Sequence, residues 1–242
     1  HTVIMIGEED HLRIQVIYPG FAIKQAYKLA DQVDDLFDER LPYAYHEKLG
    51  FLTKCPTNLG TGLRISVMVH LPALEATGNL SGIIRALGGV GLPVRGMYGE
   101  GSSAAGSLYQ ISNQVTLGVS EEQVQNKMIS VIEELAGKER AARKSLQQTH
   151  ATALEDRVMR SFGALAYARL LPTKEFMQLI SNVRMGVCMG LLPGYQAGDI
   201  DALTIAMQPD MLMRESGNMS AGERDKKRAA MVSAFFTGGR KA

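Results

Sequence analysis

The sequence predicts an α+β protein that ends in an all-helical region, and two observations lead to this prediction. Short β-prone runs alternate with helical patterns through about the first 150 residues, whereas only amphipathic helical segments follow. Nine of the 13 methionines also lie after residue 150, where flexible Met side chains fill helical interfaces or form adaptable contact surfaces. We therefore expect two domains, over residues 1–147 and 148–242.

Five strands and one helix are expected before residue 120. Residues 2–6 and 12–18 are short β-prone runs, and residues 21–37 carry apolar side chains at helical spacing. Residues 64–71 alternate between an apolar face with Ile65, Val67 and Val69 and an opposite face, which predicts a strand buried on one side. Two further strands are predicted at 94–98 and 108–112, on either side of a glycine-rich stretch.

Long helices are predicted for the remainder of the chain. Ser120-Glu121-Glu122-Gln123 is a capping box that opens a helix running to about residue 148. Further helical patterns cover residues 153–171, 174–189, 199–207 and 221–236.

Composition excludes several classes of protein. With 26 Lys and Arg against 25 Asp and Glu, and 45% hydrophobic residues, the chain is neither a disordered polyelectrolyte nor a strongly basic nucleic-acid binder. No run approaches the roughly 18 apolar residues of a membrane span, and the first residues lack a signal-peptide pattern. Because Cys55 and Cys188 stand alone, we expect a reducing cytoplasm and no zinc or other metal site.

Motif screening leaves three glycine-framed polar segments. The Walker A, HExxH, GxSxG and GxGxxG patterns are all missing. The remaining segments are GEEDHLR at 7–13, KCPTNLGTGLR at 54–64 and RGMYGEG at 95–101. Each places charged side chains beside backbone that a ligand can approach closely.

These segments offer candidate ligand-binding groups. Arg13, Arg64 and Arg95 suit phosphate binding, although a single Arg at a strand end is more often solvated or ion-paired. Glu9 and Glu100 could hold a cationic substrate. Cys55 is either a small buried residue or a reactive thiol.

In combination, these segments and the run YQISNQVTLGVSE resemble the catalytic domain of the phosphagen (guanidino) kinases, over about residues 3–125. RGMYGEGS and YQISNQVTLG are most similar to the McsB-type protein-arginine kinases. RDKKRA at 224–229 resembles the RDxxRA motif of their phosphoarginine-binding pocket. The resemblance implies an antiparallel β-sheet flanked by helices.

The resemblance also implies an active site that binds ATP and Mg²⁺. Glu9 and Glu100 would hold the substrate guanidinium, and Cys55 would be the thiol beside it. On chemical grounds Glu9 is favoured as the base and Glu100 as the clamp, although the two could act as a unit. Arg13 would contact phosphate. Two further segments would line the nucleotide, namely Arg64, Ile65, Ser66, Val67 and Met68 and also Arg95, Gly96, Met97, Tyr98, Gly99 and Glu100.

Regulation and partners are implied as well. Arg224, Asp225 and Arg228 would form an allosteric phosphoarginine site, and the helical domain would mediate a homodimer. Substrates would be proteins with exposed arginines, marked for regulated proteolysis and for relief of repression under stress. McsA, CtsR and ClpC–ClpP are the partners of the family. Neither a membrane nor direct nucleic-acid binding is expected.

The chain departs from the family pattern at three points. An SSRxRxxRN-like segment is missing, so we expect the chain to be the C-terminal portion of a longer protein. Small-molecule members place His four residues after the Arg of GTGLR, where this chain has Met68, with His70 two residues further on. Gly7 stands where Asn is common.

Two alternative functions stay open at this point. One is a kinase of a small guanidino compound such as arginine or creatine. The other is a non-catalytic adaptor that binds phosphoarginine through the 224–228 motif.

Overall fold

The computed structural model describes residues 1–96 and 105–238, and the predicted α+β class with a helical C-terminal part is confirmed. The strands are β1 Thr2–Ile6, β2 Leu12–Val16, β3 Tyr45–His46, β4 Gly50–Phe51, β5 Ser66–His70, β6 Val94–Gly96 and β7 Leu108–Ser112. The α-helices are α1 Ile23–Asp38, α2 Pro72–Ala76, α3 Leu80–Gly89, α4 Glu121–Thr149, α5 Ala151–Tyr167, α6 Thr173–Cys188, α7 Ala197–Ala206, α8 Pro209–Ser216 and α9 Ala221–Gly238. A 3₁₀ turn covers Pro56–Asn58.

The described strands form three small sheets, whereas the family resemblance implied one antiparallel sheet. β1 and β2 form an antiparallel hairpin in which Thr2 faces Val16 and Ile6 faces Leu12. β3 and β4 form a second antiparallel pair, and the third sheet has the order β5-β7-β6. β2 ends at Val16, two residues before the predicted end.

The chain divides into two compact units that interleave along the sequence. The first comprises His1–Val69, Gly82–Val94 and Gln110–Gly137, and the second comprises His70–Ser81, Arg95–Tyr109 and Lys138–Ala242. The domain boundary expected at residue 147 therefore stays a prediction. α4 and α5 are separated there only by His150, whose φ of −138° interrupts the helical backbone.

Each unit has its own core. In the first, the predicted apolar stripe of α4 is buried at Val124, Met128 and Ile132. In the second, helices α5, α6 and α9 pack together, and Met177, Met185 and Met207 are at most 1% exposed. These three methionines are therefore ordinary core residues.

The long helices agree with the predicted ranges, and the short elements were missed. α5 ends at Tyr167, four residues before its predicted end, and Ala168 is already extended at ψ 145°. The predicted last residue, Leu171, precedes Pro172, which disfavours a helical conformation there. The missed helices are α2, α3 and α8. α2 and α8 each span eight residues or fewer, and α3 contains three glycines, which are unfavourable in a helix.

Candidate functional site

The turn between β1 and β2 presents Glu9 on a constrained backbone. Gly7 donates its N–H to the carbonyl of His11 at 3.0 Å, and Asp10 donates to the carbonyl of Glu8 at 2.8 Å. Glu9 has φ +63°, in the left-handed region that a non-glycine residue rarely adopts. Strain of this kind, about 1 kcal/mol or more, is often found at functional sites.

Arg13 faces two glutamates of the same turn. Its Nη1 lies 2.8 Å from Oε2 of Glu8 and 3.7 Å from Oε2 of Glu9. All three side chains are between 38% and 56% exposed, so solvent screens these pairs strongly. The arginine predicted to bind phosphate and the glutamate predicted to hold the substrate are thus side by side.

Asp10 joins this turn to the segment that carries Cys55. Its Oδ1 accepts the backbone N–H of Cys55 at 3.0 Å, and its Oδ2 accepts the side-chain amide of Asn58 at 2.7 Å. Burial alone would raise the pKa of Asp10, but the hydrogen bonds from Cys55, Asn58 and the backbone of Lys54 outweigh it and lower the pKa. Sequence reasoning missed this role, although the GEEDHLR segment contained the residue.

Cys55 is partly buried and is held on both sides. Its Sγ lies 3.0 Å from the hydroxyl of Thr57, and its carbonyl accepts the hydroxyl of Thr53 at 2.7 Å. The backbone N–H bond to Asp10 completes the support. The thiol predicted to lie beside the substrate therefore occupies a fixed position relative to the Glu9 turn.

Gly60 allows the GTGLR segment to lie directly against the SNQVTLG run. A Cβ at Gly60, whose φ is +112°, would lie 2.2 Å from the carbonyl oxygen of Thr116. The N–H of Thr61 donates to that carbonyl at 3.0 Å, and the Thr116 hydroxyl donates to the carbonyl of Leu59 at 2.8 Å. Only glycine permits this approach.

Asn113, three residues before Thr116, also binds the backbone of the GTGLR segment. Its Oδ1 accepts the N–H of Ile65 at 2.7 Å, and its Nδ2 donates to the carbonyls of Leu63 and Val115 at 3.0 and 3.2 Å. These bonds fix the backbone on both sides of Arg64. The polar residues of SNQVTLG therefore act as a scaffold for GTGLR.

Of the first segment predicted to line ATP, Arg64 and Ile65 precede β5, and Ser66, Val67 and Met68 lie in it. Arg64, Ser66 and Met68 are exposed, whereas Ile65 and Val67 are partly buried. The predicted alternation is confirmed over residues 64–69, but the apolar face is only partly buried.

The second ATP-lining segment is described only in part. Arg95 is partly buried and Gly96 is buried in β6. Met97, Tyr98, Gly99 and the predicted guanidinium clamp, Glu100, lie outside the described residues.

The predicted phosphoarginine motif lies on the first turns of α9. The Arg228 side chain is fully buried, with Nε donating to the carbonyl of Met207 at 2.9 Å and Nη1 to that of Leu171 at 2.7 Å. Nη1 also pairs with Oδ1 of Asp225 at 2.8 Å, while Nη2 has no hydrogen-bond partner. Arg224 is partly buried and donates to the carbonyl of Met219 at 2.6 Å.

Residues 1–96 and 105–238, which the structure describes, contain no group of three His, Cys, Asp or Glu side chains that could hold a metal ion. None of the helices there has the length and apolar character needed to cross a membrane.

Comparison with known proteins decides the family. The ATP:guanido phosphotransferase C-terminal catalytic domain matches residues 1–142, and the McsB protein-arginine kinase C-terminal domain matches residues 151–240. A protein-arginine kinase of Caldanaerobacter subterraneus is 48% identical over 231 residues, which cover 95% of this chain and 68% of the relative. The chain belongs to the McsB-type protein-arginine kinases of the ATP:guanido phosphotransferase family.

Other relatives and solved structures agree with this family. The protein-arginine kinase of Bacillus subtilis is 47% identical over 230 residues, 95% of this chain and 63% of the relative. The chain thus spans 63 to 68% of the length of these two relatives. A lombricine kinase structure matches with TM-score 0.53 at 32% identity, covering 60% of this chain and 40% of that one. A taurocyamine kinase of Schistosoma mansoni with bound transition-state analogue components matches with TM-score 0.53 at 27% identity, covering 72% and 24%.

Proposed function

We propose that the intact protein transfers the γ-phosphoryl group of ATP to arginine side chains of proteins. The observation that carries this proposal is the similarity to curated protein-arginine kinases along 95% of the chain, through both the catalytic and the helical parts. The geometry supports it, because Asp10 joins the turn of Glu9 to the segment of Cys55. ATP is the phosphoryl donor of the family, and Mg²⁺ would arrive with it.

The chemistry assigns complementary tasks to the two sets of charged residues. A free guanidinium is a poor nucleophile, because its charge is delocalised and its pKa lies above about 12. Glu9 and Glu100 would hold its N–H groups and aim one nitrogen at the γ-phosphorus. As the N–P bond forms and the bond from phosphorus to the ADP oxygen breaks, the proton of that nitrogen passes to Glu9.

The arginines and the thiol would assist this transfer. Arg13, Arg64 and Arg95 would neutralise phosphate charge, which is the main requirement of phosphoryl transfer. Arg13 can exchange its exposed glutamate partners for phosphate at little cost, because such pairs contribute only about 0–1 kcal/mol. Cys55 would contact the substrate guanidinium from the position that Asp10 fixes.

The test uses the intact protein with Mg-ATP and an unfolded protein substrate. We expect acid-labile phosphate on arginine by mass spectrometry, and a loss of about 100-fold or more in rate for Glu9→Gln. Glu155→Gln, on the exposed face of α5, is the matched control and should retain wild-type activity. A product without phosphoarginine would refute the proposal.

The same assay decides between the alternatives. Phosphorylation of free arginine but not of protein would indicate a kinase of a small guanidino compound. Binding of phosphoarginine without any ATP turnover would indicate an adaptor.

We also propose that Arg224, Asp225 and Arg228 bind phosphoarginine and regulate activity. Two features support this: Arg224 is partly exposed, and the buried Nη2 of Arg228 has no partner. Arg224→Ala should weaken binding of phosphoarginine in calorimetry, whereas Lys226→Ala, an exposed neighbour on α9, should not. Equal affinities would refute this site. A homodimer through the helical part, the partners McsA, CtsR and ClpC–ClpP, and the marking of proteins for proteolysis under stress are proposals that rest on the family alone.

A further inference from the structure

A cluster of polar side chains outside the proposed active site surrounds His70, the last residue of β5. His70, Ser181 of α6, Arg184 of α6 and Asp201 of α7 all belong to the second compact unit. The cavity beside them is about 20 Å³, room for about one water molecule and too small for a substrate. The cluster therefore requires an explanation other than ligand binding.

The contacts of His70 define its tautomer. Nη1 of Arg184 lies 3.1 Å from Nδ1, and a guanidinium only donates, so Nδ1 must accept. The ring proton is therefore on Nε2, which donates to the hydroxyl of Ser181 at 2.8 Å. Burial lowers the pKa of His70 to about 2, assisted by the charges of Arg184 and of Arg143 on α4, so the ring is neutral.

Arg184 is itself held by a two-point ion pair. Its Nε lies 2.5 Å from Oδ1 of Asp201, and its Nη2 lies 2.9 Å from Oδ2. The Arg184 side chain is 24% exposed and that of Asp201 is 48% exposed, so the pair is only partly shielded from solvent. A bidentate pair fixes the orientation of the guanidinium as well as its position. The third nitrogen, Nη1, is thereby aimed at His70.

The residues that follow His70 are anchored in the same unit. Leu71 donates its N–H to the carbonyl of Ser107 at 2.9 Å. The buried carboxylate of Glu139 accepts the N–H groups of Ala73 and Leu74 at 3.1 and 3.0 Å, and thus caps α2, which has no local capping side chain. The chain from 70 to 76 is therefore fixed on both sides of the turn from β5 into α2.

We propose that His70 is a positioning residue for the ATP-binding strand, held in place by Ser181 and by the Arg184–Asp201 pair. β5 carries exposed Ser66 and Met68 at the proposed nucleotide face, and it ends at His70. A strand of five residues whose terminal side chain is fixed in orientation cannot slide or rotate without breaking the bonds of that side chain. By fixing the last residue of β5, His70 thus sets the position along the strand of Ser66 and Met68, which form the proposed ATP face. This inference rests on the proposed binding of ATP by β5.

The experiment compares four variants of the intact protein. Asp201→Asn breaks the two-point pair, and His70→Leu removes both ring nitrogens. His70→Asn keeps an acceptor at the position of Nδ1 and is the conservative variant. Asp156→Asn removes the partner of Arg160 in an exposed pair of α5 and is the matched control.

Two readouts are measured on the folded proteins: the dissociation constant for Mg-ADP, and amide hydrogen exchange of peptides covering residues 66–70. We expect Asp201→Asn and His70→Leu to weaken Mg-ADP binding about tenfold and to accelerate exchange in β5, and His70→Asn to restore most of both. Asp156→Asn should match the wild type. If His70→Leu fails to fold, Asp201→Asn alone decides.

Unchanged affinity and unchanged exchange in Asp201→Asn would overturn the proposal. A lowered melting temperature with wild-type affinity and exchange would show a merely structural role and would overturn it too. If the wild-type protein does not bind Mg-ADP, the proposed ATP site fails, and exchange in β5 then decides the positioning role by itself.

Discussion

Replacing Asp10 tests whether the contact between the Glu9 turn and the Cys55 segment matters for catalysis. Asp10→Ala removes both acceptors, one for the N–H of Cys55 and one for the amide of Asn58. Hydrogen bonds to a charged group contribute about 1.5–3 kcal/mol each. Because Asp10 is only partly buried, water can bind some of the donors that the variant leaves unpaired, which reduces the loss. We therefore expect about 2 kcal/mol of lost stability for the variant.

The same free energy determines the effect on the reaction. About 2 kcal/mol corresponds to a roughly 30-fold larger population of the released segment, and misplacement of a reacting group by 1 Å can cost about 100-fold in rate. kcat/KM for arginine phosphorylation should fall between tenfold and 100-fold. Asp10→Asn should lose less, because one amide oxygen can still accept from Cys55 and the amide of Asn58 can turn to accept as well.

The pH dependence provides a further check. Because the pKa of Asp10 is lowered in the folded protein, its contribution is present above the unfolded pKa of about 4 and is lost as pH falls through the folded value. The stability difference between wild type and Asp10→Ala should therefore be constant from pH 5 to 8 and shrink below about pH 4.

The assay combines urea unfolding, kinetics and alkylation of Cys55 in a Cys188→Ser background. Asp10→Ala should alkylate faster, since the N–H bond that fixes Cys55 is gone. Asp156→Ala, which removes an exposed carboxylate from α5, is the control and should change none of the three measurements. Wild-type kcat/KM in Asp10→Ala would refute the positioning role of Asp10.

Three further predictions concern the scaffold, and four substitutions test them. Gly60→Ala should cost more than about 3 kcal/mol in the free energy of unfolding, because its Cβ would lie 2.2 Å from the carbonyl oxygen of Thr116, whereas Gly62→Ala, with φ +63° and open space, should cost about 1 kcal/mol. Glu139→Gln should cost about 2–3 kcal/mol by urea unfolding, because one of two buried backbone N–H groups loses its acceptor; an unchanged midpoint would contradict the capping role. Because the pKa of His70 is lowered in the folded protein, below about pH 6.5 this ring takes up a proton only when the protein unfolds. The free energy of unfolding of the wild type should therefore fall by up to about 1.4 kcal/mol per pH unit from this group as the pH decreases. His70→Asn should lack that contribution, and identical pH profiles would exclude it.

Local signals predicted the helix starts well. The capping box at Ser120 is confirmed, with its hydroxyl accepting the N–H of Gln123 at 3.1 Å and its own N–H donating to the Gln123 side chain at 2.9 Å. Ser220 and Glu223 make the same reciprocal contact at α9. These partners are three residues apart, so the chain itself brings them together.

Distant partners could not be predicted in this way. Asp10 and Cys55 are 45 residues apart, Ala73 and Glu139 are 66 apart, and His70 and Arg184 are 114 apart. The sequence indicates that each side chain is polar, but only the tertiary fold determines its partner. The role of Asp10 and the capping of α2 were missed for this reason.

The burial of the predicted arginines separates two kinds of binding residue. Arg13 is 45% exposed and pairs with exposed glutamates, so a phosphate can replace those partners without moving the backbone. Arg228 is fully buried, and its Nε and Nη1 already donate to the carbonyls of Met207 and Leu171, which leaves only the buried Nη2 without a partner. Breaking those buried hydrogen bonds would leave charged donors without acceptors, which costs several kcal/mol. This cost is larger than the free energy gained by exchanging those partners for a ligand. If the motif binds phosphoarginine as proposed, the phosphoryl group would meet the partly exposed Arg224 first, and the buried Arg228 would contribute by fixing α9.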